Sequence, residues 1–400
     1  MSAPEVIVIG AGPAGLAAAA ELGRRRLPCI VLEQAGSVGA SWRGRYDRMR
    51  LNTSRWTSRL SHCGYPARTG LFPSRDEMVG YLEDYAQRHA LDVRMRTRVE
   101  RIDRHDEGWE LQTSTGPYAS RQVIVATGHD HTPHIPPWPG RDRYTGRLLH
   151  ATAYGNADAF RGARVAVVGA GSSGLEIAYD LAEGNAERVW VCARTRPNIM
   201  LRQSGGLPGD LPAIALLPLP PRIADALARL VSQLTIGDLT TCGLAPPAEG
   251  IFTRLHRDGK APAIVDKDII QAIRDGRVQI TPGLESLEHA SLVLSGGTRI
   301  EADIIIAATG YTPGLEPLAG HLGVLDQRGL PRLHGGKAAA PGLRFIGYLP
   351  RPGQISHMSR EARRAARAIK NETPATPASR PRRNPGNWQP SGSPRRTDRS

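Results

Sequence analysis

The 400-residue chain carries a net charge of +14, 40% hydrophobic and 5% aromatic residues, and four cysteines, Cys29, Cys63, Cys192 and Cys242. This length allows two or more domains with cores of their own. No apolar run nears the roughly 20 residues that span a bilayer, and the cysteines form neither CxxC nor a zinc-ligand spacing. The excess charge is nearly all arginine, scattered without a nucleic-acid-binding motif, so no nucleic-acid partner is expected. No basic leader precedes Val6, and the cysteine usage fits a reducing compartment, so a cytoplasmic protein is expected.

In chain order, the strand-like run Val6-Ile7-Val8-Ile9 enters Gly10-Ala11-Gly12-Pro13-Ala14-Gly15 and an alanine-rich helix. A second apolar strand, Cys29 to Leu32, ends at Glu33 and Gln34, and a third, Val123-Ile124-Val125, ends at Ala126-Thr127-Gly128. The pattern then repeats. Val165 to Val168 enters Gly169-Ala170-Gly171-Ser172-Ser173-Gly174 and a helix, and Val189 to Ala193 ends at Arg194, with Arg196 close by. Ile304 to Ala307 then ends at Ala308-Thr309-Gly310. Alternation of short β-branched runs with helical stretches predicts an α/β protein of two Rossmann-like units, one inserted in the other. The expected divisions are 1–146 and 316–370 for the outer unit, 147–315 for the inserted one, and a disordered tail at 371–400. Before the tail, Ser359 to Ile369 predicts a helix. His129, His131 and His134 fall in a proline-rich crossover, and no metal site is expected there.

Each GxGxxG has a mechanical reason: a tight turn, close approach of backbone to a pyrophosphate, and close packing of helix on strand. The residue after the second strand separates the two nucleotides. Glu33 can accept hydrogen bonds from an unphosphorylated ribose, which suits FAD. Arg194 and Arg196, with no carboxylate in that place, suit the 2′-phosphate of NADPH. Leu207 to Leu234 is apolar and broken by prolines, which is read as a hydrophobic wall over a substrate channel, with a membrane-surface patch as the alternative.

Between the two cradles, Tyr144-Thr145-Gly146-Arg147-Leu148-Leu149-His150-Ala151-Thr152-Ala153-Tyr154 matches FxGxxxHxxx(Y/F) except for its leading tyrosine. Gly39-Ala40-Ser41-Trp42, Met49-Arg50-Leu51-Asn52-Thr53 and Ala308-Thr309-Gly310-Tyr311 add further matches. With these motifs the chain, from Val6 to Ile369, resembles the class B flavin-dependent monooxygenases, most closely flavin-containing monooxygenases of the YUCCA type. The resemblance implies that NADPH reduces FAD, that oxygen forms a flavin hydroperoxide, and that one oxygen atom passes to a small, lipophilic organic substrate. It also implies that Trp42 and Arg43 border the flavin, that Asn52 reaches its reactive edge, and that His150 and Tyr154 couple nucleotide binding to domain position. Ser172 departs from the asparagine common in the family. A Baeyer–Villiger enzyme or an amine N-hydroxylase is the near alternative, although Tyr154 stands where the former carries tryptophan; a non-catalytic nucleotide sensor is the distant one. A disulfide reductase would need a redox dithiol that the chain lacks.

Overall fold

The computed structural model describes residues 4–106 and 108–372. Two parallel sheets organise it. The first runs, edge to edge, through Ala338–Ala340, Leu343–Phe345, Gln122–Val125, Val6–Ile9, Cys29–Leu32 and Val93–Arg94. Only its edge strand Ala338–Ala340 is antiparallel to its neighbour. Val8 lies opposite Val31 on one side and Ile124 on the other, and all three are fully buried. Such a strand, covered on both faces, has to be apolar along its whole length, which is why the sequence shows unbroken β-branched runs.

The second sheet has the order Gln279–Pro282, Arg188–Ala193, Arg164–Val168, Ile304–Ala307, Arg147–His150, parallel throughout. Every strand of it comes from between Arg147 and Ala307, whereas the first sheet takes strands from both ends of the chain. The expected α/β architecture of two Rossmann-like units is the one the structure has.

The helix after each first strand packs closely because it is built of small residues. In Pro13–Gly23, Ala17 to Ala20 lie in one core with Ala362, Ala365 and Ala366 of the long helix Gln354–Glu372. That helix begins five residues before, and ends three residues after, the stretch expected from sequence. Asn371 and Glu372, expected in a disordered tail, are its last residues. Glu372 is held there by an ion pair with the buried Arg344. The rest of the expected tail, 373–400, lies outside the described residues.

Candidate functional site

The two cradles are built alike. Gly10 and Gly169 take φ of +102° and +120°, a left-handed turn that brings each against the carbonyl of Ala126 or Ala308 in the neighbouring strand. A side chain on Gly15 or Gly174 would strike the carbonyl of Gly10 or Gly169, so each third glycine allows helix and strand to touch. A side chain on Gly12 or Gly171 would meet nothing within 4 Å. Each of these middle glycines is the N-cap of its helix, Pro13–Gly23 or Ser172–Glu183, and neither helix has a side-chain cap. Open space in front of uncapped helix amides is what a pyrophosphate needs, so both cradles fit a dinucleotide.

A cavity of about 1030 Å³ joins them. Of the residues expected at the site, Gly10, Gly12, Pro13, Ala14, Glu33, Gln34, Trp42, Asn52, Ala126, Thr127, Gly128, Ser172 and Ser173 line it. Glu33 is fixed at its rim: Oε2 accepts from the Ala11 amide at 2.7 Å and Oε1 from the Ala35 amide at 2.9 Å. Each oxygen keeps a further lone pair for a ribose hydroxyl. Thr127 is braced by the Tyr348 hydroxyl at 2.8 Å. The Asn52 carboxamide makes no hydrogen bond among the described residues, so its donors are not spent on a turn. Trp42 packs against the cores of both units.

The remaining expected residues stand apart from the cavity. Arg43 lies on the surface, paired with Glu83 at 2.5 Å, and does not border the flavin pocket. The cause is local: the short helix Ala40–Arg43 packs beside Arg75–Arg88, which carries the glutamate. His150 is buried. Its Nδ1 accepts from the Thr152 amide at 3.2 Å and its Nε2 donates to the Gly310 carbonyl at 3.0 Å, and burial pushes its pKa below the ordinary histidine value. It thus ties the linker to the Ala308-Thr309-Gly310 strand end. Thr309 donates to the His134 carbonyl. Tyr154 is buried too and donates to Asp180 at 2.6 Å. Arg194 and Arg196 are exposed just past Arg188–Ala193. Arg194 makes no hydrogen bond or ion pair among the described residues, and Arg196 reaches only the Pro246 carbonyl, at 3.4 Å.

Two polar clusters in the cavity wall were not foreseen. Glu176, on the helix after the second cradle, accepts from Tyr46 and from Arg202, and Arg202 also pairs with Asp266 at 2.5 Å. Burial pushes the Tyr46 phenol far above its ordinary value, so it is the donor. Asp210 accepts from the Ser54 amide at 3.2 Å and from the Ser54 and Thr57 hydroxyls. Both clusters join residues far apart in sequence. The one local signal was Glu176 itself, a charge among Leu175, Ile177 and Ala178.

The stretch from Leu207 to Leu234 does not form the expected channel wall. Only Asp210 and Ala213 of it reach the cavity, while the apolar wall comes from Met200, Ile251, Phe252, Leu255, Pro262 and Ile264. The prolines do break the segment, into the hairpin Gln203–Ser204/Leu207–Pro208 and the helices Asp210–Leu216 and Pro221–Thr235.

Comparison with known proteins adds the family. The family model for pyridine nucleotide-disulphide oxidoreductases matches residues 7–201. The Arabidopsis thaliana protein named "Probable indole-3-pyruvate monooxygenase YUCCA4" is 31% identical over 354 residues, covering 87% of this chain and 86% of that protein. The Oryza sativa indole-3-pyruvate monooxygenase YUCCA4 is 31% identical over 327 residues, 77% of this chain and 74% of its own length. Among solved structures, the flavin-containing monooxygenase of Stenotrophomonas maltophilia has the same fold, with a TM-score of 0.72 at 23% identity, covering 93% and 99% of the two chains. No helix among the described residues is long and apolar enough to cross a membrane. Relatives this similar over this much of their length show that the chain belongs to the YUCCA-type flavin-dependent monooxygenases, and it is an oxidoreductase with FAD and NADP(H) as its cofactors.

Proposed function

We propose that the chain is an NADPH-dependent FAD monooxygenase that transfers one atom of O₂ to a small organic molecule with an apolar body. The observation that carries this reading is the single cavity that opens on both cradles and is walled on one side by Ile251, Phe252 and Leu255. The division into 1–146 with 316–370 and an inserted 147–315 is part of the same proposal. FAD, reduced by NADPH, supplies the redox chemistry and the activation of oxygen.

The chain's residues bind and position. The helix amides behind Gly12 hold the FAD pyrophosphate, and Glu33 accepts from its ribose. The Gly169–Gly174 turn holds the second nucleotide, and Arg194, free of other partners, takes the 2′-phosphate; this favours NADPH over NADH. Asn52 donates from its carboxamide at the flavin edge. Tyr46, Glu176 and Arg202 lock the two units together between the cradles, and the aliphatic and aromatic wall keeps water out.

The curated relatives are named for indole-3-pyruvate, a 2-keto acid with an aromatic ring. The apolar wall suits such a ring, and Arg50 and Arg351, both in the cavity lining, suit its carboxylate. Oxidative decarboxylation of an aryl 2-keto acid is therefore the first reaction to test. FAD-loaded protein, NADPH and ¹⁸O₂ are mixed with the acid, and ¹⁸O in the product is measured against hydrogen peroxide released. One labelled atom per product supports the proposal. NADPH oxidation that returns all its oxygen as peroxide, with aryl 2-keto acids, amines, sulfides and ketones alike, refutes it.

A further inference from the structure

Helix Pro221–Thr235 is built inside out. Its buried positions are small or polar, Ala224 and Asp225, while Ile223, Leu227, Leu230, Val231 and Leu234 are exposed, Leu234 by 79%. These five recur at i, i+4, i+7, i+8 and i+11, one stripe of roughly 100° along the helix. The preceding segment adds exposed Leu207, Leu211 and Leu219. Single exposed leucines are ordinary; a run of them along one stretch of chain marks a binding surface.

The outward orientation is fixed by hydrogen bonds. The buried Asp225 carboxylate accepts from the Phe252 amide at 2.6 Å, the Thr253 amide at 3.2 Å and the Thr253 hydroxyl at 2.5 Å. It thereby caps the N-terminus of Ile251–Asp258, whose Phe252 and Leu255 line the cavity. Turning the helix to bury its leucines would strip that cap and leave buried amides unpaired.

Charge selects the occupant. From Leu207 to Thr235 the charged residues are Asp210, Arg222, Asp225 and Arg229. Both acids are buried and both arginines are exposed. At about 100° per residue, Arg222 and Arg229 sit on one flank of the stripe. The surface offered is therefore aliphatic and cationic, with no exposed acid in the segment. A second copy laid on it would bring arginine against arginine. Residues 373–400, with six arginines and one aspartate, carry the same sign and are not its complement. An anionic lipid surface is complementary in both respects. We propose that this face docks on bilayers containing anionic lipid. Because the docking helix caps one cavity wall, and Asp210 and Ala213 of the same segment line the cavity, a lipophilic substrate would pass from the bilayer to the site. That last step rests on the monooxygenase reading; the docking does not.

The test is co-sedimentation of the FAD-loaded full chain with vesicles of phosphatidylcholine alone or with about a third phosphatidylglycerol, in low and high salt. Binding to the anionic vesicles, weakened by salt, is expected. Leu227→Asp/Leu234→Asp should lower the partition coefficient about a hundredfold, from two leucine side chains no longer buried in the interface. Arg222→Glu/Arg229→Glu should lower it on anionic vesicles only. Both variants change exposed side chains, so their flavin content and unfolding temperature should match the unaltered protein, which separates loss of docking from loss of fold. Three outcomes overturn the proposal: no sedimentation with either vesicle; binding that survives the leucine substitutions but disappears when residues 373–400 are removed; or a dimer in solution that Leu227→Asp/Leu234→Asp dissociates while vesicles bind nothing. Failure of catalysis alone leaves the sedimentation result standing.

Discussion

Alanine at Gly12 and at Gly15 should fail in opposite ways. A Cβ on Gly15 would lie 3.0 Å from the Gly10 carbonyl carbon and closer still to its oxygen. Both are backbone atoms of a buried strand-to-helix turn, so the turn must open. Overpacking of this kind costs about 1–3 kcal/mol, and about 2–4 °C of unfolding temperature accompanies each kcal/mol in a chain of some size. The Gly15→Ala apoprotein should therefore melt several degrees lower. A Cβ on Gly12 meets nothing, and φ −83° with ψ −176° is backbone any residue adopts. The Gly12→Ala apoprotein should melt within about a degree of the unaltered protein, well inside the scale of a packing defect. Its loss is in FAD binding, because the methyl stands where the pyrophosphate must approach. Losing one charge-assisted hydrogen bond, about 1.5–3 kcal/mol, raises Kd roughly 10- to 100-fold. Gly171→Ala should do the same to NADPH affinity and leave FAD content alone, since that position is equally open. Differential scanning of the apoprotein, with flavin fluorescence and NADPH titrations, reads all three. Unchanged FAD affinity in a stable Gly12→Ala protein, or loss of FAD in Gly171→Ala, would show that the cradles are wrongly assigned.

Arg194→Ala should raise KM for NADPH about 10- to 100-fold, from the lost charge-assisted bonds, and leave KM for NADH alone; equal losses with both would refute its 2′-phosphate role. Burial pushes the Glu21 carboxyl up, but hydrogen bonds from Arg25, Arg363 and His62 outweigh this and hold it below its ordinary 4.5. A carboxylate depressed on folding contributes stability above its unfolded value that is lost as pH falls through the folded one. Glu21→Gln should therefore cost about 1–3 kcal/mol at neutral pH and flatten the fall in stability below about pH 4.5; acid profiles that run parallel for the two proteins would count against this. His150→Ala strands the Thr152 amide and the Gly310 carbonyl, and should cost about 1–3 kcal/mol in chemical denaturation. Burial holds the His150 imidazole below its ordinary 6.5, so its contribution is present above that pH and fades as pH falls through the lowered value; a loss that grows toward acid would contradict it.

What was legible from sequence was local. A strand, a glycine turn and a helix lie within some fifteen consecutive residues, so both cradles, Glu33 and the two Ala-Thr-Gly strand ends could be read directly. Asn52 and Trp42 came from resemblance, and the structure puts both in the cavity lining. The misses are contacts between distant residues. Arg43 was drawn away by Glu83, 40 positions on, and the outward turn of Leu227 and Leu234 follows from Asp225 capping a helix 27 positions on. Glu176 answers Tyr46 across 130 positions. Hydrophobic periodicity says that a helix has an apolar face; it does not say which face a buried aspartate will force outward.

The same cavity decides against the reductase chemistry that the family model's description names. Cys29 and Cys192 sit in central strands, where burial pushes each thiol up to about 11. None of the four cysteines is paired and none lines the cavity. The walls offer a carboxamide, an indole and aliphatic side chains, which neither accept electrons nor titrate near neutrality. The protein's share of the reaction is then position and dryness, and a gap in the dry wall should separate NADPH oxidation from oxygen transfer. Phe252, buried and in the lining, is the place to open one. Phe252→Ala should cost about 3–5 kcal/mol of stability, so flavin content is checked first. In protein that retains FAD, NADPH should still be consumed while hydrogen peroxide takes a larger share of the oxygen. An unchanged ratio of product to peroxide in that protein would mean that the wall of Ile251–Asp258 does not guard the reacting centre, and that the substrate enters from another side.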